Sequence, residues 1–204
     1  MLESLWLVHP DEAMGEAFRR RFAGLPHVRV IRGRFEDLDP HDCFVTAGNA
    51  YGIMTAGIDA AVTRRFGQRL MNRVQHAVMN RYLGEQPVGT AFIVPTDDAT
   101  LPFVCHAPTM RVPGSIDGTD KVYAATWAAL LAVHAHNQTP AQRIEVVAMP
   151  AMGTGFGGVA FDEAARQMAV AYRHFLEPPH RLDWDFVAQR QLAICYDGGK
   201  QVVK

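Results

Sequence analysis

The chain has 204 residues, of which 49% are apolar and 20% charged, and its formal net charge is −1 at pH 7. This length suits a single domain spanning residues 1–204, with room for a sizeable core. The charge balance excludes a disordered acidic tail and offers no strong nucleic-acid footprint. Cys43, Cys105 and Cys195 lie far apart inside apolar runs, a spacing that fits neither a disulfide framework nor a zinc knuckle. No Cys or His cluster has metal-site spacing, so no metal or cofactor is expected. The opening stretch MLESLWLVHPDE lacks the charged start and long apolar run of a signal peptide, and no run approaches the length of a membrane span. A cytoplasmic protein with no membrane partner is the expectation.

In chain order, apolar runs of strand length alternate with segments of helical period, the signature of an α/β domain. Strands are expected at Ser4 to His9, His27 to Arg32, Cys43 to Ala47, Thr90 to Pro95, Phe103 to His106, Ile144 to Met149 and Gln191 to Tyr196, seven in one sheet. Helices are expected over Asp11 to Phe22, over Gly57 to Tyr82 with a break at Gly67, and over Thr119 to His136. A last one carries Phe161, Ala164, Met168, Tyr172 and Phe175 on one face. Helices should cover both faces of the sheet. The Pro- and Gly-rich stretches Pro108 to Gly118 and Glu177 to Asp185 are too short to be interdomain linkers.

Two turns concentrate the chemistry. "MPAMGTGFGG", residues 149 to 158, follows a strand and precedes a helix. Its glycines leave backbone N–H groups free, and the helix adds the positive end of its dipole, so the turn suits a phosphate. Gly153, Gly155 and Gly158 satisfy G-x-G-x-x-G. A dinucleotide-binding fold would want this turn near its beginning, with an acid closing the next strand, and here Glu177 is followed by Pro178 and Pro179. The dehydrogenase reading therefore fails. The other turn, "TAGNAYGIMTAGIDAAV" at residues 46 to 62, holds Asn49, three glycines and Asp59 between a strand and a helix. Taken alone, Asn49 is a loop residue tying its amide to nearby backbone, and Asp59 a favourable charge at a helix start.

Taken together, the pieces resemble one family. "DCFVTAGNAYGIMTAGIDAAV" resembles the strand and first ligand loop of macrodomains; "QPVGTAFIVPT" and "LPFVCHAPT" resemble the next two strands, and "VVAMPAMGTGFGG" the second ligand loop. The four elements occur in the family's order across residues 42 to 158, and the following helix extends the likeness to about residue 176. The resemblance implies a three-layer α/β/α sandwich with a mixed, mostly parallel sheet. It implies ADP-ribose, or an ADP-ribosylated substrate, bound between two glycine-rich loops. The protein would hydrolyse an ADP-ribosyl derivative, whether an ADP-ribosylated macromolecule, an O-acyl-ADP-ribose or ADP-ribose 1″-phosphate. The alternative is a binding module without chemistry. Implied substrate-binding residues are Ala47, Gly48, Gly57, Ile58, Gly153, Thr154, Gly155, Phe156 and Gly157, with Asp59 and Asn49 catalytic. Asn49 would hydrogen-bond the distal ribose, Phe156 would lie against it, and Asp59 would orient or deprotonate a water.

The sequence also departs from the family pattern. Macrodomains often carry a Gly-Asp pair whose aspartate accepts a hydrogen bond from the adenine amino group. Here the stretch reads "RGRFEDL", with Arg34 in that place and Glu36 or Asp37 as possible substitutes. In "GIMTAG", Met54, Thr55 and Ala56 add bulk where glycines are usual. Arg111, between two prolines, is either part of a rigid connection or a charge at the crevice rim. His106 reads as a satisfied strand-end histidine, Cys43 and Cys105 as small buried apolar groups, and Met152 and Met168 as core.

Overall fold

A computed structural model describes residues 2–139 and 142–194. Its sheet has six strands: β1 Ser4–His9, β2 Val28–Arg32, β3 Cys43–Thr46, β4 Phe92–Pro95, β5 Phe103–His106 and β6 Val146–Pro150. Their spatial order is β2-β1-β6-β3-β5-β4. Every neighbouring pair is parallel except β4 with β5. The helices are α1 Glu12–Arg21, α2 Gly57–Phe66, α3 Gln68–Tyr82, α4 Lys121–His136, α5 Phe161–Leu176 and α6 Trp184–Ile194, with a short 3-10 turn at Phe35–Asp37.

Helices on both faces explain why the inner strands read as unbroken apolar runs rather than alternating ones. In β1, Leu5 and Leu7 join the core beneath α1, α4 and α5, with Met14, Phe18, Ala125, Met168 and Tyr172. The intervening Trp6 and Val8 join the opposite core beneath α2 and α3, with Val62, Leu70, Val74 and Val78. Asp42 pins the register of β3 against β6, since its Oδ2 accepts the N–H groups of Glu145 and Val146, both at 2.8 Å. The break at Gly67 is also present, with φ 73° separating α2 from α3, a conformation that glycine adopts without steric cost.

The seventh expected strand, Gln191 to Tyr196, is corrected. Gln191 to Ile194 continue α6, while Cys195 and Tyr196 lie outside the described residues. Asp183 Oδ1 accepts Phe186 N–H at 2.9 Å at the start of this helix. Arg166 donates to the carbonyls of Ala193 and Ile194 at its end, supplying partners that a last turn lacks. A short apolar run such as Leu192 to Ile194 has no period long enough to separate strand from helix.

Candidate functional site

The parallel strands all point their C-terminal ends to one side, where the loops enclose a crevice of about 510 Å³, the size of a small-molecule site. The β3–α2 loop and the β6–α5 loop face each other across it. Ala47, Gly48, Asn49, Gly57, Ile58, Asp59, Gly153, Thr154, Gly155, Phe156 and Gly157 all line it. The loop after β5 supplies Thr109 and Met110, and the ends of β1 and β2 supply Val8, His9, Pro10, Gly33 and Arg34.

In the β6–α5 loop the glycines have separate duties. Gly153 has φ +75°, and an added Cβ would stand 2.6 Å from Val122 Cγ2; a Cβ on Gly157 would collide with the Gly153 carbonyl. Both are demanded by the fold. Gly155 has open space where its Cβ would be, and no positive φ. The N–H groups of Gly158 and Val159 turn back onto the carbonyls of Gly155 and Gly153. Those of residues 153 to 157 donate to no acceptor among the described residues, which leaves them for a ligand. Phe156 is 61% exposed, an aromatic ring with no local core to join.

The β3–α2 loop is organised from within. Asn49 Oδ1 accepts the N–H groups of Tyr51 and Ile53 at 3.1 and 3.3 Å, and its Nδ2 donates to Ile53 O at 2.8 Å. Its carboxamide is thus largely committed to its own loop, leaving one Nδ2 hydrogen for anything else. Met54 is fully buried among Val62, Leu70 and Val74 and adds no bulk to the crevice. Thr55 and Ala56 do line it. Ala56, at the N-cap of α2, makes no side-chain cap, so the first-turn N–H groups of that helix add a second anion-favouring terminus.

Asp59 stands in this first turn with its side chain turned inward, and the residue is only 5% exposed. Burial pushes its carboxyl up to about 7. The Thr46 hydroxyl draws it part of the way back, although it falls short of a hydrogen bond of regular geometry. Oδ1 has no protein partner. Beside it, a Cβ on Gly48 would stand 3.0 Å from Asp59 Oδ2 and 2.5 Å from His106 Nε2, so only glycine fits between them.

His106 is fully buried, and burial lowers its imidazole to about 4, keeping it neutral. Its Nδ1–H donates to Gln86 Oε1 at 2.7 Å, because Gln86 Nε2 already faces the carbonyls of Thr90 and His106. The Nε2 lone pair therefore points toward Gly48 without a partner, and the buried hydroxyls of Thr46 and Thr109 are also unpartnered. His106 is a strand-end histidine, as expected, but only one of its nitrogens is satisfied. Read alone, His106 gives no sign of its hydrogen bond to Gln86 or of Thr46 beside it in register. A signal existed for two of them: Thr46 and His106 are polar residues closing apolar strands, and they pair in register.

Arg111 is settled on the structural side. Its Nε meets Glu85 Oε1 at 2.8 Å, the Tyr51 hydroxyl donates to Glu85 Oε2 at 3.0 Å, and the trio braces the first loop from outside. Cys43 and Cys105 are buried and free. Burial pushes both thiols up, Cys105 to about 12, which leaves them protonated and inert. Among the described residues no group of three or more His, Cys, Asp and Glu could hold a metal ion, and no helix is long and apolar enough to cross a membrane.

A family model described as the Macro domain matches residues 45–168. The chain is 34% identical over 148 residues to an uncharacterised protein of Aquifex aeolicus (strain VF5), an overlap covering 72% of this chain and 82% of that one. Among solved structures it is similar to the macrodomain of Mycobacterium tuberculosis DarG, with TM-score 0.58 and 20% identity, over 70% of this chain and 87% of that one. It is also similar to a mutant Oceanobacillus iheyensis macrodomain solved with ADPR, with TM-score 0.57 and 21% identity, over 67% and 72% of the two chains. At these identities the structural likeness speaks for the fold.

Proposed function

Because the chain belongs to the macrodomain family, we propose that its crevice binds ADP-ribose and that the protein hydrolyses an ADP-ribosyl derivative. One observation carries the hydrolytic part: a carboxyl buried at the crevice wall, at Asp59, titrating near neutrality and lacking a protein partner on Oδ1. A carboxylate that served only the helix dipole would sit in water. A general base works best with a pKa near the operating pH.

The unpaired N–H groups of residues 153 to 157 suit the diphosphate, and the uncapped start of α2 suits the phosphate and ribose beside it. Phe156 would close over the distal ribose and exclude water. Asp59 would then hold a water near the anomeric carbon. As the water oxygen bonds to that carbon, the bond to the acceptor breaks, Asp59 takes the water proton, and the acceptor leaves with the bonding electron pair. For an O-acyl ester the same water attacks the acyl carbon, and the ribose oxygen leaves. Asn49 contributes by holding the loop in shape.

The second reading, a binding module without chemistry, gains from Asn49. With its amide largely committed to the loop, few polar side-chain groups remain there to fix a ribose for reaction. The test is incubation of the protein with ADP-ribosylated protein, ADP-ribosylated nucleic acid and ADP-ribose 1″-phosphate, followed by product analysis. Wild type should turn over at least one. Asp59→Ala should keep ADP-ribose affinity within a few-fold while turnover falls at least about tenfold. No turnover by wild type, or full activity in the variant, would leave the binding module.

A further inference from the structure

We propose that the base end of the crevice favours a six-keto purine, hypoxanthine or guanine, over adenine, and that Arg34 is the residue that reads it. The inference rests on the ADP-ribose-type reading above. The sheet order puts the β6 loop, the candidate diphosphate site, between the β3 side, where Asp59 stands, and the ends of β1 and β2. A nucleotide with its diphosphate on the β6 loop and its distal ribose toward Asp59 must therefore lay its base over the ends of β1 and β2.

That end offers hydrogen-bond donors. Arg34 lines it, and its guanidinium is in no ion pair among the described residues. His9 lines it too; its Nδ1 accepts Asp11 N–H at 3.1 Å, so in the neutral ring the other nitrogen, Nε2, carries the hydrogen. Acceptors are scarce. Glu36 lines the crevice but is drawn to Arg64 of α2 at 3.2 Å. Asp37 does not line the crevice, and its Oδ2 accepts the Arg34 backbone N–H at 3.2 Å. An adenine amino group here would meet a cation and a ring N–H, donor against donor. A six-keto purine presents O6 and N7, two acceptors that match the guanidinium fork. Adenine keeps N7, so it is weakened rather than excluded.

The test is calorimetric titration of ADP-ribose and inosine 5′-diphosphoribose, which differ only on the Watson–Crick edge of the base, with ADP-ribose 2′-phosphate as a third ligand. The inosine compound should bind about tenfold more tightly than ADP-ribose, and Arg34→Gln should bring the two within about twofold by weakening the inosine compound. Glu36→Gln should leave both unchanged. The inference is overturned if wild type binds ADP-ribose as tightly as the inosine compound, or if Arg34→Gln keeps the preference. It also fails if Glu36→Gln weakens ADP-ribose alone, or if the 2′-phosphate compound binds tightest, which would give Arg34 a phosphate and not a base. Binding of none of the three by folded protein would instead remove the parent reading.

Discussion

Replacing Asp59 by asparagine should make the protein more stable above neutral pH, and the size of the gain follows from its burial. An aspartate in an unfolded chain ionises near pH 3.9, whereas the buried Asp59 holds its proton up to about 7. Between these values the folded chain binds a proton that the unfolded chain has released, so stability falls as pH rises through this window. At about 1.4 kcal/mol per unit, a shift of roughly three units costs about 4 kcal/mol once pH exceeds 7. An asparagine in its place would be close in shape and carry no charge to bury. Urea unfolding of wild type and Asp59→Asn from pH 4 to pH 8 should give similar stabilities at the acid end. At pH 8 the variant should be ahead by up to about 4 kcal/mol. A purely dipolar role predicts the opposite sign, a loss of about 0.3 to 1 kcal/mol in the variant. A variant less stable than wild type at pH 8, or two parallel pH profiles, would refute the reasoning. The predicted cost also gives the site its logic, because a protein retains an unfavourable buried carboxyl where the carboxyl is used.

Gly48→Ala should destabilise by about 1 to 3 kcal/mol, because its Cβ would stand 2.5 Å from His106 Nε2 and 3.0 Å from Asp59 Oδ2; thermal unfolding measures this, and an unchanged midpoint would mean the pair yields freely. Gln86→Ala strands the buried His106 Nδ1–H, which Gln86 accepts at 2.7 Å, and should cost a similar amount. The urea midpoint reads it, and no loss would show that the histidine finds another partner.

Much of this was legible because strand ends and glycine turns leave local signatures. β1, β3, β5 and β6 were evident as short apolar runs, and the Gly67 break as glycine inside a helical pattern. Both crevice loops stood out because turns that free backbone N–H groups need glycine. Other features depend on what lies across space. Gln86 carries no signal in its own neighbourhood; its role exists only because the loop before β4 passes beneath His106. Met54 looked like an intrusion into the crevice because its sequence position does not reveal that Met71 and Val74 lie behind it. The position of Asn49 in the sequence does not reveal that the Tyr51 and Ile53 backbone takes most of its amide. Residues 191 to 194 misled for a simpler reason, since their helix is finished by Arg166 from another helix and a run of three apolar residues has no period.

The most direct test of the central claim is calorimetric titration of ADP-ribose into wild type and Gly155→Val. Gly155 has open space at its Cβ position and no positive φ, so valine there should leave the unfolding midpoint unchanged while its branched side chain stands where the diphosphate approaches the loop. The account predicts saturable one-site binding by wild type and a loss of at least about tenfold, roughly 1.4 kcal/mol, in the folded variant. Undiminished affinity in folded Gly155→Val, or no binding by wild type at millimolar ligand, would contradict it.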